Sequence, residues 1–393
     1  MRLCQDEAPR PTAALVLADG TALYGEGVGA TGVAVGELCF NTAMTGYQEI
    51  LTDPSYAGQV VTFTAPHVGN VGANDQDVEN SSEPAARAAR AAVMRAAVTS
   101  PSSHRARLDL GAWMRRRGIV GISGVDTRML TARMREGGVM AAAVAHAASG
   151  AFDAEDLARR AREFGSLAGR DLAREASAAS PYAEETGDWD RRGTFGPANA
   201  DGPLAVVVDY GVKRNILRRL VGAGCRVCVV PAGTSAEEIL AMSPDGVVLG
   251  NGPGDPAATA EHAVPVIRAL MAAGVPLFGI CLGHQLIALA LGGRTVKMAQ
   301  GHHGANHPVR DLATGRVEIV SMNHGFTVDE ASLPDGVEAT HTSLFDGTNS
   351  GLRVVGKPVL SVQHHPEASP GPQDSFAAFD RFVAMMRDES RAA

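Results

Sequence analysis

The sequence predicts an α/β protein: an N-terminal α+β domain followed by a C-terminal domain built on a doubly wound, largely parallel sheet. Three observations predict it. From residue 204 onward, short apolar runs (LAVVV, CRVCVV, GVVLG) alternate with helical segments, the pattern of strands and helices that feeds a parallel sheet. In the same half, residues 275–285 (VPLFGICLGHQ) read as a strand, a sharp turn and a helix, with Cys281 at the turn. Before residue 147 the apolar runs are short, separated by turn residues, with helical stretches between them.

A chain of 393 residues suggests two or three domains with ample core for each. The formal charge is 35 − 43 = −8, which gives no reason to expect nucleic acid or an anionic membrane as partner. The opening MRLCQDEAPRP lacks the apolar core of a signal peptide, and no later stretch is apolar for long enough to span a bilayer. Five thinly scattered cysteines fit a reducing cytoplasm better than a disulfide framework. A cytoplasmic location is therefore expected.

Residues 1–11 are polar and read as a loose lead. Residues 14–16 and 21–24 read as strands joined around Asp19-Gly20, a good hairpin turn. Further strands are expected at 36–40 and 59–63, and helices at 83–98 and 108–117. Residues 1–146 thus form the first domain. Residues 147–203 read as a connector and not a core, with one amphipathic helix at 153–164 that places Leu157, Ala161 and Phe164 at helical spacing. Residues 204–393 form the second domain, where Ser235 and Glu238 make a capping box. Its last helix, 374–387, carries Phe376, Phe379 and Phe382 near one face. In a parallel sheet of this kind ligands bind beyond the carboxyl ends of the strands, where Cys281 and the 251–256 loop both fall.

Gly279 and Gly283 flank Cys281 in a G-x-C-x-G pattern, the thiol version of a nucleophile elbow. A turn this tight needs glycines, because it leaves no room for neighbouring Cβ atoms. The helix that follows presents its positive dipole end, which favours a thiolate. A single buried Cys is more often structural than reactive. Here a partner exists downstream. PVLSVQHHPE reads as a strand ending in His365-Pro366-Glu367, with Pro366 holding the segment extended, so that Glu367 orients His365 and His365 serves Cys281. Nucleophile, base and orienting carboxylate are the set needed for acyl transfer through a thioester. The N–H of Leu282 and the glycines of Asn251-Gly252-Pro253-Gly254 are candidate oxyanion donors.

NGPGDP, GICLGHQ and HHPEAS together resemble the class I, triad-type glutamine amidotransferase domain. The resemblance narrows to the small, glutamine-hydrolysing chain of carbamoyl phosphate synthetase through FNTAMTGYQEILTDPSY, GVDTRMLTARMREGG, AVVVDYGVKRNILRRL, GHHGANHPV and NHGFTVDE. It covers residues 13 to 385, and it weakens at 139–150 and 183–202. Carried over position by position, it implies Cys281 as nucleophile with His365 and Glu367 completing the triad. It implies glutamine binding by Ser55, Gly252, Gly254, Leu282, Gln285, Asn323, Gly325 and Phe326, with Ser55 reaching in from the other domain. It also implies a large synthetase subunit as partner, L-glutamine as substrate, and no cofactor or metal on this chain. ATP and its metal belong on the large subunit, which makes carbamoyl phosphate for arginine and pyrimidine biosynthesis. The alternatives are a glutaminase feeding another synthase, which the 40–56 segment opposes, and a non-catalytic regulatory subunit, which the intact triad opposes.

Other signals fail on context. Gly27 to Gly32 fits G-x-G-x-x-G, but a strand follows it where a helix is required. Gly351 to Lys357 imitates a P-loop until Pro358. His302, His303 and His307 lack an accompanying cysteine or carboxylate ligand set for zinc. Cys225 and Cys228 form C-x-x-C within a strand and not at a helix start.

Overall fold

The computed structural model describes residues 10–80, 88–190 and 192–387. Its contacts divide the chain into two compact units. The first holds residues 10–40, 59–75 and 90–166; the described remainder forms the second.

The first unit is a closed barrel. Its strands are β1 (Ala13–Leu17), β2 (Ala22–Gly29), β3 (Gly32–Asn41), β4 (Gln59–Phe63), β5 (Ala91–Val93), β6 (Val120–Ser123) and β7 (Met140–His146), in the closed order β1-β2-β6-β5-β4-β3-β7. Residue alternation along β1 explains its burial on both faces. Leu15 and Leu17 point into a cluster with Val60, Val93, Ile122 and Val144. Ala14 and Val16 point the other way, onto Leu157 and Ala158 of helix Ala154–Phe164, which Asp153 caps. The hairpin and the strands expected at 36–40 and 59–63 are present, as is a helix at Leu110–Arg116.

The helix expected at 83–98 is not. Residues 83–87 lie outside the described residues, and Ala91–Val93 is a strand parallel to β4 and β6, with all three residues fully buried. Alanine favours helix only by a few tenths of a kcal/mol per residue, and tertiary pairing overrides so small a preference.

The second unit is discontinuous. It takes residues 41–58 and the described residues of 76–89 in addition to the chain from 167 onward. Backbone and side-chain bonds explain why: Thr42 N donates to His303 O, Arg214 N to Glu79 O, and Asn251 Nδ2 to Ser55 Oγ. A cut at 146 and another at 203 therefore do not describe how the chain divides by contact. Part of the expected connector also enters the core. Ala173 is fully buried in one of the unit's clusters, and β8 (Tyr182–Glu184) is an edge strand of its sheet.

That sheet has ten strands. Besides β8 they are β11 (Leu204–Asp209), β12 (Arg226–Pro231), β13 (Gly246–Leu249), β14 (Leu277–Ile280), β15 (Arg294–Asp311), β16 (Val317–Asp329), β17 (Val337–Ser343), β18 (Asn349–Val354) and β19 (Val359–Val362), in the order β16-β15-β17-β18-β19-β14-β13-β11-β12-β8. A separate ribbon pairs β9 (Thr186–Trp189) with β10 (Phe195–Pro197). The run β19-β14-β13-β11-β12 is parallel, and the flanking strands are antiparallel. The histidines of GHHGANHPV lie in β15.

Helices cover both faces of the parallel strands. Val206 and Val208 pack with Ile267 and Leu286 of helices Pro256–Ala272 and Leu282–Ala290. Ala205 and Val207 pack oppositely with Ile216, Phe379 and Phe382 of helices Arg214–Gly222 and Ala377–Met386. Phe278 meets Phe379 edge-on at 5.7 Å between centroids. Replacing the fully buried Phe379 by Ala leaves a cavity beneath the strand that feeds Cys281. The expected loss, read as a lower urea midpoint with unchanged m-value, is about 3–5 kcal/mol.

Candidate active site

Parallel register brings the site together before any side chain is considered. Leu249 pairs with Gly279, Gly279 with Ser361, and Ile280 with Val362. The residues just beyond these pairs, 250–254, 281–283 and 363–367, therefore emerge along one carboxyl edge.

Cys281 N-caps helix Leu282–Ala290 with φ 54° and ψ −101°, backbone angles that a residue with a Cβ rarely adopts. Its N–H donates to Val362 O at 2.9 Å, and the helix bond Gln285 N to Cys281 O closes at 3.2 Å. A Cβ on Gly279 would stand 2.7 Å from Gly283 O, and one on Gly283 would stand 2.0 Å from Leu249 O. The two glycines are what the elbow sterically requires. The Cys281 thiol is buried, 3.6 Å from Asn323 O.

His365 and Glu367 are both out of solvent, and His365 Nδ1 donates to Glu367 Oε1 at 2.7 Å. The segment is not extended as the sequence suggests. β19 ends at Val362, and residues 366–367 turn, with Ala368 N returning to His365 O at 3.2 Å. The turn, not strand alternation, brings the carboxylate to the ring. His365 N donates to Ser321 O of β16, which fixes the start of that turn. Burial alone depresses the His365 pKa, but the Glu367 charge and the neighbouring Cys281 outweigh it and raise the value to about 10. Burial pushes Glu367 up, yet Lys213 and His365 overcome it and hold the carboxyl at about 2.

Lys213 is the residue the sequence reading missed. Its ammonium, itself buried, lies 2.8 Å from Glu367 Oε1 and donates to Ala368 O at 2.7 Å. Its own N–H donates to Asn251 Oδ1, and Asn251 Nδ2 donates to Ser55 Oγ at 2.7 Å. One signal was available: Lys213 is one of only three lysines among 35 basic residues, and it stands directly before a helix.

Ser55 lies in the second unit and not in the first, and Asp53 Oδ1 accepts its N–H. Asn323 is held on both ends of its amide, by His303 Nδ1 and by Asp53 Oδ2. Gln285 Nε2 donates to Phe326 O at 2.8 Å and to Gln363 Oε1 at 3.0 Å, so its amide is fixed. A Cβ on Gly252 would meet Tyr210 O at 2.1 Å and the Leu282 side chain at 3.0 Å; one on Gly254 (φ 98°) would meet Arg170 O at 2.6 Å. Gly325 is under no such pressure, since a Cβ there would meet open space.

A strained cysteine elbow on a doubly wound sheet, with a buried His–Glu pair beside it, defines a class of triad-type amidotransferase folds. Residues 206–385 match the family profile described as "Glutamine amidotransferase class-I". Residues 15–144 match "Carbamoyl-phosphate synthase small chain, CPSase domain". The chain is 60% identical over 381 residues to the carbamoyl phosphate synthase small chain of Mesorhizobium japonicum, covering 97% of this chain and 96% of that one. It is 59% identical over 386 residues to that of Caulobacter vibrioides, covering 98% and 99%. The chain belongs to the carbamoyl phosphate synthase small chain family. No helix among the described residues is long and apolar enough to cross a membrane.

The depressed Glu367 pKa fixes the sign of a pH effect. The stability it confers is full above about pH 4.5 and is lost as pH falls toward about 2. Glu367→Gln takes from buried Lys213 the carboxylate it touches and leaves only Glu79 and Asp53 near it, at an expected cost near pH 7 of up to about 3–5 kcal/mol. Denaturation of both proteins across pH should show that gap narrowing between about pH 4.5 and about pH 2.

Proposed function

We propose that Cys281, His365 and Glu367 carry out glutamine hydrolysis in this chain, the glutaminase subunit of a carbamoyl phosphate synthase. The supporting observation is the buried His365–Glu367 bond of 2.7 Å beside a cysteine held at positive φ. The thiol proton passes to His365 Nε2 before attack, and from that sulfur–imidazolium pair Cys281 Sγ attacks the side-chain carbonyl carbon of glutamine. As the tetrahedral intermediate collapses, the C–N bond breaks and His365 returns the proton to the leaving nitrogen, releasing ammonia. Water then attacks the thioester with His365 as base, the C–S bond breaks, and glutamate leaves. The N–H groups of Leu282 and Gly252 serve as donors to the oxyanion.

Glu367 holds the imidazole in the tautomer that aims Nε2 at the thiol and steadies its charged form. Lys213 keeps that carboxylate ionised. The amide of glutamine and its amino-acid end fall to Ser55, Gly252, Gly254, Gln285, Asn323, Gly325 and Phe326. The small-chain family implies a large-subunit partner. In this reading the large chain receives the ammonia, and ATP with its metal binds there, leaving this chain without a cofactor.

Cys281→Ser in the reconstituted two-chain complex should abolish glutamine-dependent carbamoyl phosphate formation. Synthesis from added ammonium salt should remain, because the thiol is needed only to make ammonia. Loss of both activities to the same degree, with the complex intact by gel filtration, contradicts the division of labour.

A further inference from the structure

The triad and Lys213 do not exhaust the buried charge in the second unit. Glu79 is fully buried and lies in a segment, 76–80, that contains none of the residues expected at the site. Its carboxylate makes two bonds. Oε2 accepts from Asn215 N at 3.0 Å, and Oε1 accepts from Ser369 Oγ. Its backbone is tied as well: Arg214 N donates to Glu79 O at 2.8 Å, and Glu79 N donates to Thr52 Oγ1 at 3.0 Å.

These bonds converge on the two elements that hold Glu367. Helix Arg214–Gly222 has Lys213 as its N-cap, and Lys213 offers no side-chain acceptor for the free N–H groups of the first turn. Glu79 supplies that acceptor from another part of the chain, capping the helix whose entry carries Lys213. Asn215, the residue it caps, donates Nδ2 to Glu367 O at 2.6 Å. Ser369 is two residues past Glu367, in a turn where Ala368 and Ser369 both have positive φ. Glu79 therefore clamps the catalytic carboxylate from the side of its lysine and from the side of its turn.

We propose that Glu79 is a positioning residue of the glutaminase site, acting through Lys213, Asn215 and Ser369 to fix Glu367 against His365. The proposal rests on the triad reading above. Its charge matters as well as its shape. Burial pushes the Glu79 carboxyl above its ordinary range, and Lys213 and Arg218 of the helix pull against it, with Glu49 sensing both Glu79 and Asp77. Lys213 in turn is shared among Glu367, Glu79 and Asp53. His365 has Glu367 and Cys281 beside it, with His364 next to it in the chain. Neutralising Glu79 removes one anion from this group, and Lys213 is then compensated by Glu367 more completely. Less negative charge is left to favour the protonated imidazole.

The test uses the chain in complex with its large subunit, with Glu79→Gln, Glu79→Asp, Ser369→Ala and Cys281→Ser compared. Glutaminase kcat and KM are followed from about pH 6 to about pH 10.5, where the alkaline limb reports His365. Glu79→Gln should lower kcat/KM by roughly 10–100-fold, with the loss mainly in kcat, and move the alkaline limb to lower pH. Glu79→Asp keeps the charge and should keep the limb. Ser369→Ala removes one donor to the Glu79 carboxylate, so it should move the limb the same way by less, and it carries the test if Glu79→Gln does not fold. Unchanged kinetics in Glu79→Gln overturn the proposal. So do equal rate losses in the Gln and Asp variants with no movement of the limb, since a purely structural cap gives that result. Cys281→Ser should be inactive at every pH. If it hydrolyses glutamine, the triad reading fails, whatever Glu79 does.

Discussion

Lys213 Nζ and Glu367 Oε1 are 2.8 Å apart with neither side chain reaching solvent. Taking two charges out of water costs several kcal/mol each, and their attraction offsets this only when the remaining donors and acceptors are also satisfied. The surroundings meet that condition in part: Glu367 Oε1 takes both the lysine and the imidazole, while the buried Oε2 has no hydrogen-bond partner among the described residues. The ammonium has Ala368 O, and the carboxylate has His365 Nδ1. Because the pair is expensive to form, every element that completes it is constrained: the entry to helix Arg214–Gly222, the turn after β19, and the 251 loop through Asn251. The placement of the His365 ring follows from that constraint.

The second constraint is the elbow. A cysteine with φ 54° is strained, and the strain persists because parallel pairing on both sides of β14 fixes the strand below it while the helix fixes the chain above. The two constraints meet at β16, whose Ser321 O binds His365 N and whose Asn323 O lies beside the Cys281 thiol. The antiparallel extension of the sheet thus belongs to the site as much as the parallel strands do.

Much of this was legible in the sequence, for local reasons. The glycines of G-x-C-x-G answer contacts within a few residues or on the next strand. The apolar run of β11 and the capping box at Ser235 are short-range patterns that hold in the structure. What was not legible depends on distant partners. The Glu79 carboxylate meets residues 136 and 290 positions away, and Lys213 meets Ala368 across 155. No periodicity encodes such pairs. The strand Ala91–Val93 was hidden for a related reason: its alanines state a helical preference, and only its neighbours β4 and β6 decide otherwise. Ser55 was read as coming from the first domain because it follows barrel strands in sequence, while its bonds to Asn251 and Asp53 place it with the second unit.

The central claim is that Cys281, His365 and Glu367 act as one catalytic unit in which Glu367 works only through the imidazole. A double-mutant cycle on glutaminase turnover, using His365→Asn, Glu367→Gln and the combined variant with folding checked by circular dichroism, measures this directly. Glu367→Gln keeps an acceptor oxygen toward the ring, so it should reduce the rate less than His365→Asn, and the double variant should be about as slow as His365→Asn alone. If Glu367→Gln is as damaging as His365→Asn, or if the two losses multiply, Glu367 acts on the reaction independently and the account is wrong.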